Sequence, residues 1–232
     1  MSYKNAVIVL PLVFDVLPPV DSVIDFGAGS GDWLKAAQEL SGAATIKGYD
    51  ITRPTILDKI PEELRYFVTV KEQPVSIDSI EVADLNKPLV CDQKYDLAIA
   101  VAVAEHLQPE ASETFIETVT GASDFVLFSA AIPYQWGEGH INIRWHTYWS
   151  DLFTAKGYLC ADCLRQRLWD YEEDELACGY KQNAMIFAKA ERYGELKLPE
   201  YDYTKPLNLV HPYLYTNIHG ETYSNASRNR KY

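Results

Sequence analysis

The chain of 232 residues has no apolar run long enough to cross a bilayer, for which about 18 or more residues are needed. Its start, Met1-Ser2-Tyr3-Lys4, lacks the basic region, apolar stretch and small-residue cleavage site of a secretory leader. A cytoplasmic protein without a membrane partner is expected. Cysteines number only 4, scattered at 91, 160, 163 and 178, too few for a disulfide framework in a chain of this length. Basic residues are also scarce: 21 Lys and Arg stand against 33 Asp and Glu, a formal charge of -12. Such a surface repels a phosphate backbone, so nucleic acid is not an expected partner.

Cys160-Ala161-Asp162-Cys163 has the spacing of half a zinc site, but a structural site needs four ligands and no second pair follows. No metal is expected. With 47% hydrophobic residues the chain can fill a sizeable core. The length suits one domain over 1–192, followed by an aromatic and polar tail over 193–232 that packs on the domain or is partly disordered.

Strand and helix patterns alternate along the domain. Val23-Ile24 lead into glycines, and Asp32 to Leu40 has helical spacing and a stop at Ser41-Gly42. Ala44 to Tyr49 reads as a second strand and Ser79 to Ala83 as a third. The stretch between Ile51 and Ile80 is punctuated by Pro54, Pro61 and Pro74 and reads as a helix and a loop. Tyr95 to Val101 is almost continuously apolar, as a central parallel strand must be. A helix over Pro109 to Thr120, a strand over Phe125 to Ala130 and a helix over Trp145 to Ala155 follow. Tyr158 to Leu168 and Asn183 to Ala188 read as two more strands. The class is therefore α/β, a three-layer Rossmann-like arrangement with a mostly parallel seven-stranded sheet and helices on both faces.

The chemistry begins at Asp25-Phe26-Gly27-Ala28-Gly29-Ser30-Gly31. Glycines after a first strand let the backbone turn sharply and approach a ligand, while the next helix aims its free N-H groups there. A dinucleotide fingerprint reads G-x-G-x-x-G, but here the third glycine comes one position early and Asp32 takes the place of the last. Asp32 and Asp25 would be poor company for a pyrophosphate, which disfavours a nicotinamide oxidoreductase. Asp50 follows the second strand, where a carboxylate can accept hydrogen bonds from both ribose hydroxyls.

Four segments in order carry a resemblance: Val23 to Gly31, Gly48-Tyr49-Asp50, Val82-Ala83-Asp84-Leu85, and Tyr95 to Leu107 with its Glu105-His106-Leu107 ending. Together they resemble the Rossmann-like family of S-adenosylmethionine-dependent methyltransferases. The resemblance implies S-adenosylmethionine as cofactor. It places Gly27, Gly29 and Gly31 along the methionine portion, Asp50 at the ribose, and Asp84 with the Leu85 backbone at the adenine amino group, with Asp25, Phe26, Ala28, Ile51 and Val101 as further cofactor-binding candidates. Val103, Glu105 and His106 would line the reactive end. The span from Asp50 to Asp84 is longer than in compact members, which leaves Asp78 or Glu81 as alternatives for the adenine contact.

Gly139-His140-Ile141-Asn142, Tyr148-Trp149, Leu164 to Trp169 and Gln182-Asn183 also resemble a smaller group of such enzymes that act on small metabolites or glycans. That implies a methyl acceptor of small-molecule or carbohydrate-like kind, methylated on oxygen or nitrogen. The competing reading is a non-catalytic cofactor-binding or partner-binding module of the same fold. An alcohol acceptor must lose a proton, and His106, His140 and His146 are the candidate catalytic bases because imidazole titrates near neutrality. Each could instead be a hydrogen-bonded structural residue. His211, beside Pro212, reads as structural. Tyr134, Trp136, Trp145 and Trp149 fit an acceptor wall or a core edge equally well. Arg165 and Arg167 would share one face of a strand and bind an anion or, more simply, pair with the many acids.

Overall fold

The computed structural model describes residues 2–51, 79–135, 137–198 and 204–219. Among the described residues seven strands form one sheet: β1 (Ser22–Phe26), β2 (Thr45–Asp50), β3 (Ile80–Val82), β4 (Leu97–Val101), β5 (Phe125–Ser129), β6 (Tyr158–Ala161) and β7 (Met185–Lys189). Their order is β3-β2-β1-β4-β5-β7-β6. The first five run parallel and β7 is antiparallel to both β5 and β6. The expected α/β class and mostly parallel sheet are borne out.

Alternation along the central strands explains the three layers, because successive side chains point to opposite faces. Val23, Leu97, Ile99, Phe125 and Leu127 join one buried cluster, with helices α1 (Ser2–Val16) and α2 (Asp32–Ser41). Ile24, Phe26, Ala98, Ala100, Val126 and Phe128 join the other, with α3 (Ser112–Ala122) and α4 (His146–Ala155). All five residues of β4 are buried, which is why its sequence shows no polar alternation.

Helix α1 carried no expectation in the sequence. Its buried residues Ala6, Val9, Leu10, Val13 and Val16 recur at helical spacing. Pro11 lies inside the helix, removes one hydrogen bond and obscures the pattern. A short helix α6 (Cys178–Asn183) likewise had no expectation.

The expected strand over Tyr158 to Leu168 is corrected. Only Tyr158–Ala161 is strand, and Leu164–Leu168 forms helix α5. Leu164 and Leu168 are both fully buried, and a separation of four residues satisfies a period of 2 as well as one of 3.6. Arg165 and Arg167 therefore do not share a face. Buried Arg165 pairs with Asp162, while Arg167 reaches Asp15 at 2.9 Å, so both serve the acids. The helix and loop expected between Ile51 and Ile80 fall almost wholly outside the described residues, as does Asp78.

The C-terminal part is tied to the domain by side chains. The His211 backbone N-H donates to Gln182 Oε1, and its ring Nε2 bonds the Trp169 carbonyl at 2.9 Å. Asn208 Oδ1 accepts from the Thr147 N-H, and Arg165 donates to the Leu207 carbonyl at 2.8 Å. Helix α7 (Pro212–His219) follows. The polar end from Ser224 lies outside the described residues.

Candidate active site

The carboxyl ends of β1, β2, β3 and β4 converge on one cavity of about 250 Å³. Its lining includes Gly27, Asp50, Ile51, Leu85, Val103 and His106, six of the residues singled out from the sequence. Ala83, Asn86, Ala102 and Leu107 complete it. Ligands of open α/β sheets bind at this edge, where loops diverge and backbone groups stay unpaired.

The loop after β1 is fastened to β2. The N-H groups of Gly27 and Ala28 both donate to the Tyr49 carbonyl, at 2.7 and 3.0 Å, and the Gly29 N-H donates to Asp50 Oδ2 at 2.9 Å. Gly27 is obligatory on two grounds. Its φ is +84°, and a Cβ there would sit 2.1 Å from Val103 Cγ2. The missing side chain thus lets Val103, from the segment after β4, lie directly on the glycine loop. Gly31 precedes α2, whose first residue is Asp32.

Asp25 is buried, at 2% exposure, and its Oδ2 has no hydrogen-bond partner among the described residues. Burial, with the nearby Asp50 charge adding to it, pushes its carboxyl up to about 8. This revises the electrostatic argument made from sequence, since Asp25 is mostly uncharged at neutral pH and contributes little repulsion to a phosphate. Phe26 is core, stacked on Tyr49 at 6.0 Å and edge-on to Phe115 at 6.4 Å. Ala28 and Val101 are buried beside the loop and at the end of β4.

At β3 the Asp84 carboxylate is engaged locally. Oδ1 accepts from the N-H and side-chain amide of Asn86 at 3.1 and 3.0 Å, and Oδ2 pairs with Lys87 at 3.1 Å. These bonds hold its carboxyl below the usual range. Leu85 and Asn86, rather than Asp84, face the cavity. Glu81 is occupied by Lys47 across the strands. Asn86 had no signal of its own in the sequence beyond lying two residues past the acid.

After β4 the chain turns through Ala102, a non-glycine residue at φ 57°. Such left-handed residues cost on the order of 1 kcal/mol and cluster at functional sites. The turn throws Ala104–His106 into a single 3-10 turn beneath the loop that follows β5. That loop is stapled down by Glu105, whose carbonyl accepts the N-H groups of Ile141 and Asn142 at 2.9 and 3.0 Å. Asn142 in turn donates to the Ala104 carbonyl and to Ser112 Oγ, at 3.3 and 2.9 Å. His106 and His140 come together, with ring centroids 4.8 Å apart in an edge-to-face arrangement. Burial and the neighbouring His140 hold the His106 imidazole below its ordinary value.

The third candidate base is not part of this group. His146 is 1% exposed, its Nε2 engaged by the Gln182 carbonyl and Asn183 Oδ1 at 3.1 Å and its Nδ1 3.5 Å from Arg165. Burial, reinforced by the Arg165 charge, drives its pKa down to about 3. A ring so enclosed is held neutral. Among the aromatics, Trp149 is core, whereas Tyr134 is 60% exposed on the loop near His140 and Trp145 precedes α4. Trp136 lies outside the described residues. Cys160 and Cys163 are buried free thiols, both pushed above the usual thiol range by burial.

Residues 3–119, half of the chain, match the profile of a family described as methyltransferase domain. The chain belongs to this methyltransferase family. The family inferred from the four ordered segments is thereby borne out, and the protein is an enzyme of the Rossmann-like methyltransferase class. Solved structures share the fold of this methyltransferase at low identity. The methyltransferase domain of bacterial CtHen1-C has a TM-score of 0.53 at 16% identity, over 81% of this chain and 98% of that one. DesVI of Streptomyces venezuelae has a TM-score of 0.50 at 13% identity, over 82% and 92%. A candidate O-methyltransferase of Nostoc punctiforme PCC 73102 has a TM-score of 0.53 at 14% identity, over 82% and 57%. Comparison with curated proteins gives no match.

Proposed function

We propose that this methyltransferase holds S-adenosylmethionine, its cofactor, in the cavity at the carboxyl edge of β1 to β4, and moves the methyl group to an oxygen or nitrogen of a small-molecule or carbohydrate-like acceptor. The observation that carries the reading is the continuity of the lining. Gly27, Asp50, Leu85 and His106 come from four different strand ends and border one space. The Asp50 carboxylate serves the ribose hydroxyls, Ile51, Leu85 and Asn86 the adenine end, and the backbone of Gly27 to Gly31 the methionine end. Asp25, uncharged and buried, ends the strand that leads into that loop.

The sulfonium makes the methyl carbon electrophilic, so the chain's task is to align a nucleophile with it and exclude water. The acceptor approaches from the side of Glu105, His106 and His140, the titratable groups gathered at the reactive end. These groups manage the proton that a hydroxyl acceptor must lose. A nitrogen acceptor needs them less, because its proton can leave after transfer.

Calorimetric titration of the purified protein with S-adenosylmethionine, its demethylated product and NAD tests the cofactor assignment. Binding of the first two and not of NAD is expected; preference for NAD would overturn it. Incubation of methyl-labelled cofactor with sugar and metabolite pools tests the acceptor class. Label entering only protein or nucleic acid would reject it.

A further inference from the structure

Glu105, His106 and His140 form a cluster that the reading above uses only as proton-handling groups. One ligand atom from each lies within 4.8 Å of the others. Two features of the cluster are those of a cation site.

The first is an unsatisfied carboxylate oxygen. Glu105 is 3% exposed; its Oε1 accepts the Ala131 N-H at 3.2 Å, and its Oε2 has no partner among the described residues. A buried carboxylate oxygen left without a donor costs several kcal/mol if charged. A cation relieves that cost directly.

The second is the tautomer of both histidines. His106 Nδ1 lies 3.2 Å from the Gly139 carbonyl and His140 Nδ1 2.8 Å from the Gln135 carbonyl. A carbonyl only accepts, so each Nδ1 carries the proton and each neutral ring keeps its lone pair on Nε2. Metal-binding histidines are oriented in this way, by donating the other ring N-H to a carbonyl or carboxylate. The loop backbone is shaped around the rings: a Cβ on Gly137 would meet His140 Nε2 at 2.6 Å and one on Gly139 would meet His106 Nδ1 at 3.2 Å. Both ligand-bearing segments are clamped to each other through the Glu105 carbonyl.

We propose that Glu105, His106 and His140 bind a divalent first-row transition ion at the acceptor end of the cavity. Two imidazoles and one carboxylate suit zinc, cobalt, manganese or iron better than magnesium or calcium, which prefer all-oxygen sets. Bond lengths of about 2.1 Å imply ligand separations of about 3.4 Å in a tetrahedral site, so modest side-chain adjustment closes the cluster around the ion. Three protein ligands leave a position open for an acceptor oxygen. In that role, which alone rests on the methyltransferase reading, the ion lowers the pKa of the hydroxyl and the proton leaves to solvent. The oxygen lone pair then forms the new C-O bond as the S-CH3 bond breaks, its electron pair staying on sulfur. The ion's oxidation state is unchanged, and the histidines act on the proton through it.

The test is titration of the full chain, without an affinity tag and after chelator treatment, with Co²⁺ alone, read by calorimetry and by visible ligand-field absorption. One equivalent is expected to bind. His140→Ala and Glu105→Gln should weaken binding by about 100-fold or more, at or above what loss of an orienting group costs. Should Glu105→Gln fail to fold, the half-buried, loop-borne His140→Ala decides the matter. Absence of Co²⁺ binding, or binding unchanged in His140→Ala, overturns the proposal. S-adenosylmethionine titrated into the same metal-free protein reports on the cofactor separately, so Co²⁺ binding without cofactor binding upholds the metal site while removing the methyltransferase role.

Discussion

Replacing Gly27 by alanine introduces a Cβ where the structure has room for none, and the cost divides into two physically separate parts. At φ +84° a non-glycine residue costs about 1–2 kcal/mol regardless of its surroundings. The overlap with Val103 Cγ2, 2.1 Å away, adds an overpacking cost of about 1–3 kcal/mol because Val103 is buried and has little room to retreat. Gly27→Ala should therefore destabilise by roughly 2–5 kcal/mol. Val103→Ala alone removes about two buried methyl equivalents, roughly 1.5 kcal/mol. The double variant keeps the backbone penalty and the lost burial but loses the clash, leaving only the Val103 Cβ near the new methyl. Its total should fall short of the sum of the single variants by about 1–3 kcal/mol, the size of the removed overlap. Urea denaturation of the four proteins measures this coupling, with cofactor titration alongside because both residues border the cavity. Strict additivity would show that Val103 does not rest on the glycine loop, and an unaffected Gly27→Ala would show that the left-handed turn is not required.

Asp50→Asn keeps the shape but weakens the bond to the Gly29 N-H and removes the charge offered to the ribose. A charged hydrogen bond contributes about 1.5–3 kcal/mol, so S-adenosylmethionine affinity should drop roughly 10- to 150-fold by calorimetry; normal binding would remove Asp50 from the site. Asp25 has its folded-state pKa raised to about 8, above its value of 3.8 in the open chain. Between these values the folded state holds the proton that the unfolded state has lost, so this contribution to stability is full below about pH 4 and declines as pH rises towards 8. Asp25→Asn should flatten that slope in denaturation curves taken across the interval, and a slope identical to wild type would refute the assignment. His146→Ala leaves the Asn183 amide oxygen without the His146 donor in the core and opens a cavity there. It should destabilise by about 2–4 kcal/mol while cofactor affinity stays within twofold; loss of methyl transfer with full stability would return His146 to the site.

The sequence alone determined the alternation of strands and helices, because the central strands are buried on both faces and must read as apolar runs between loop signals. It also determined the cavity's first half. Gly27, Asp50, Leu85 and His106 sit at strand ends, and in a parallel sheet strand ends share one edge, so linear position converts directly into spatial convergence. What it left open involves choices that periodicity does not make. Leu164 and Leu168 fit a strand or a helix, and burial decided for the helix. The rank of the three histidines depended on contacts between segments far apart in the chain: His146 meets Gln182, Asn183 and Arg165, while the Glu105 carbonyl draws the Gly139-His140 loop onto His106. Asp25 carries a formal charge in the sequence, and only the dry surroundings of β1 take that charge away. The gathering of Glu105 with two imidazoles is likewise a product of packing, since no spacing between positions 105, 106 and 140 brings them together without the fold.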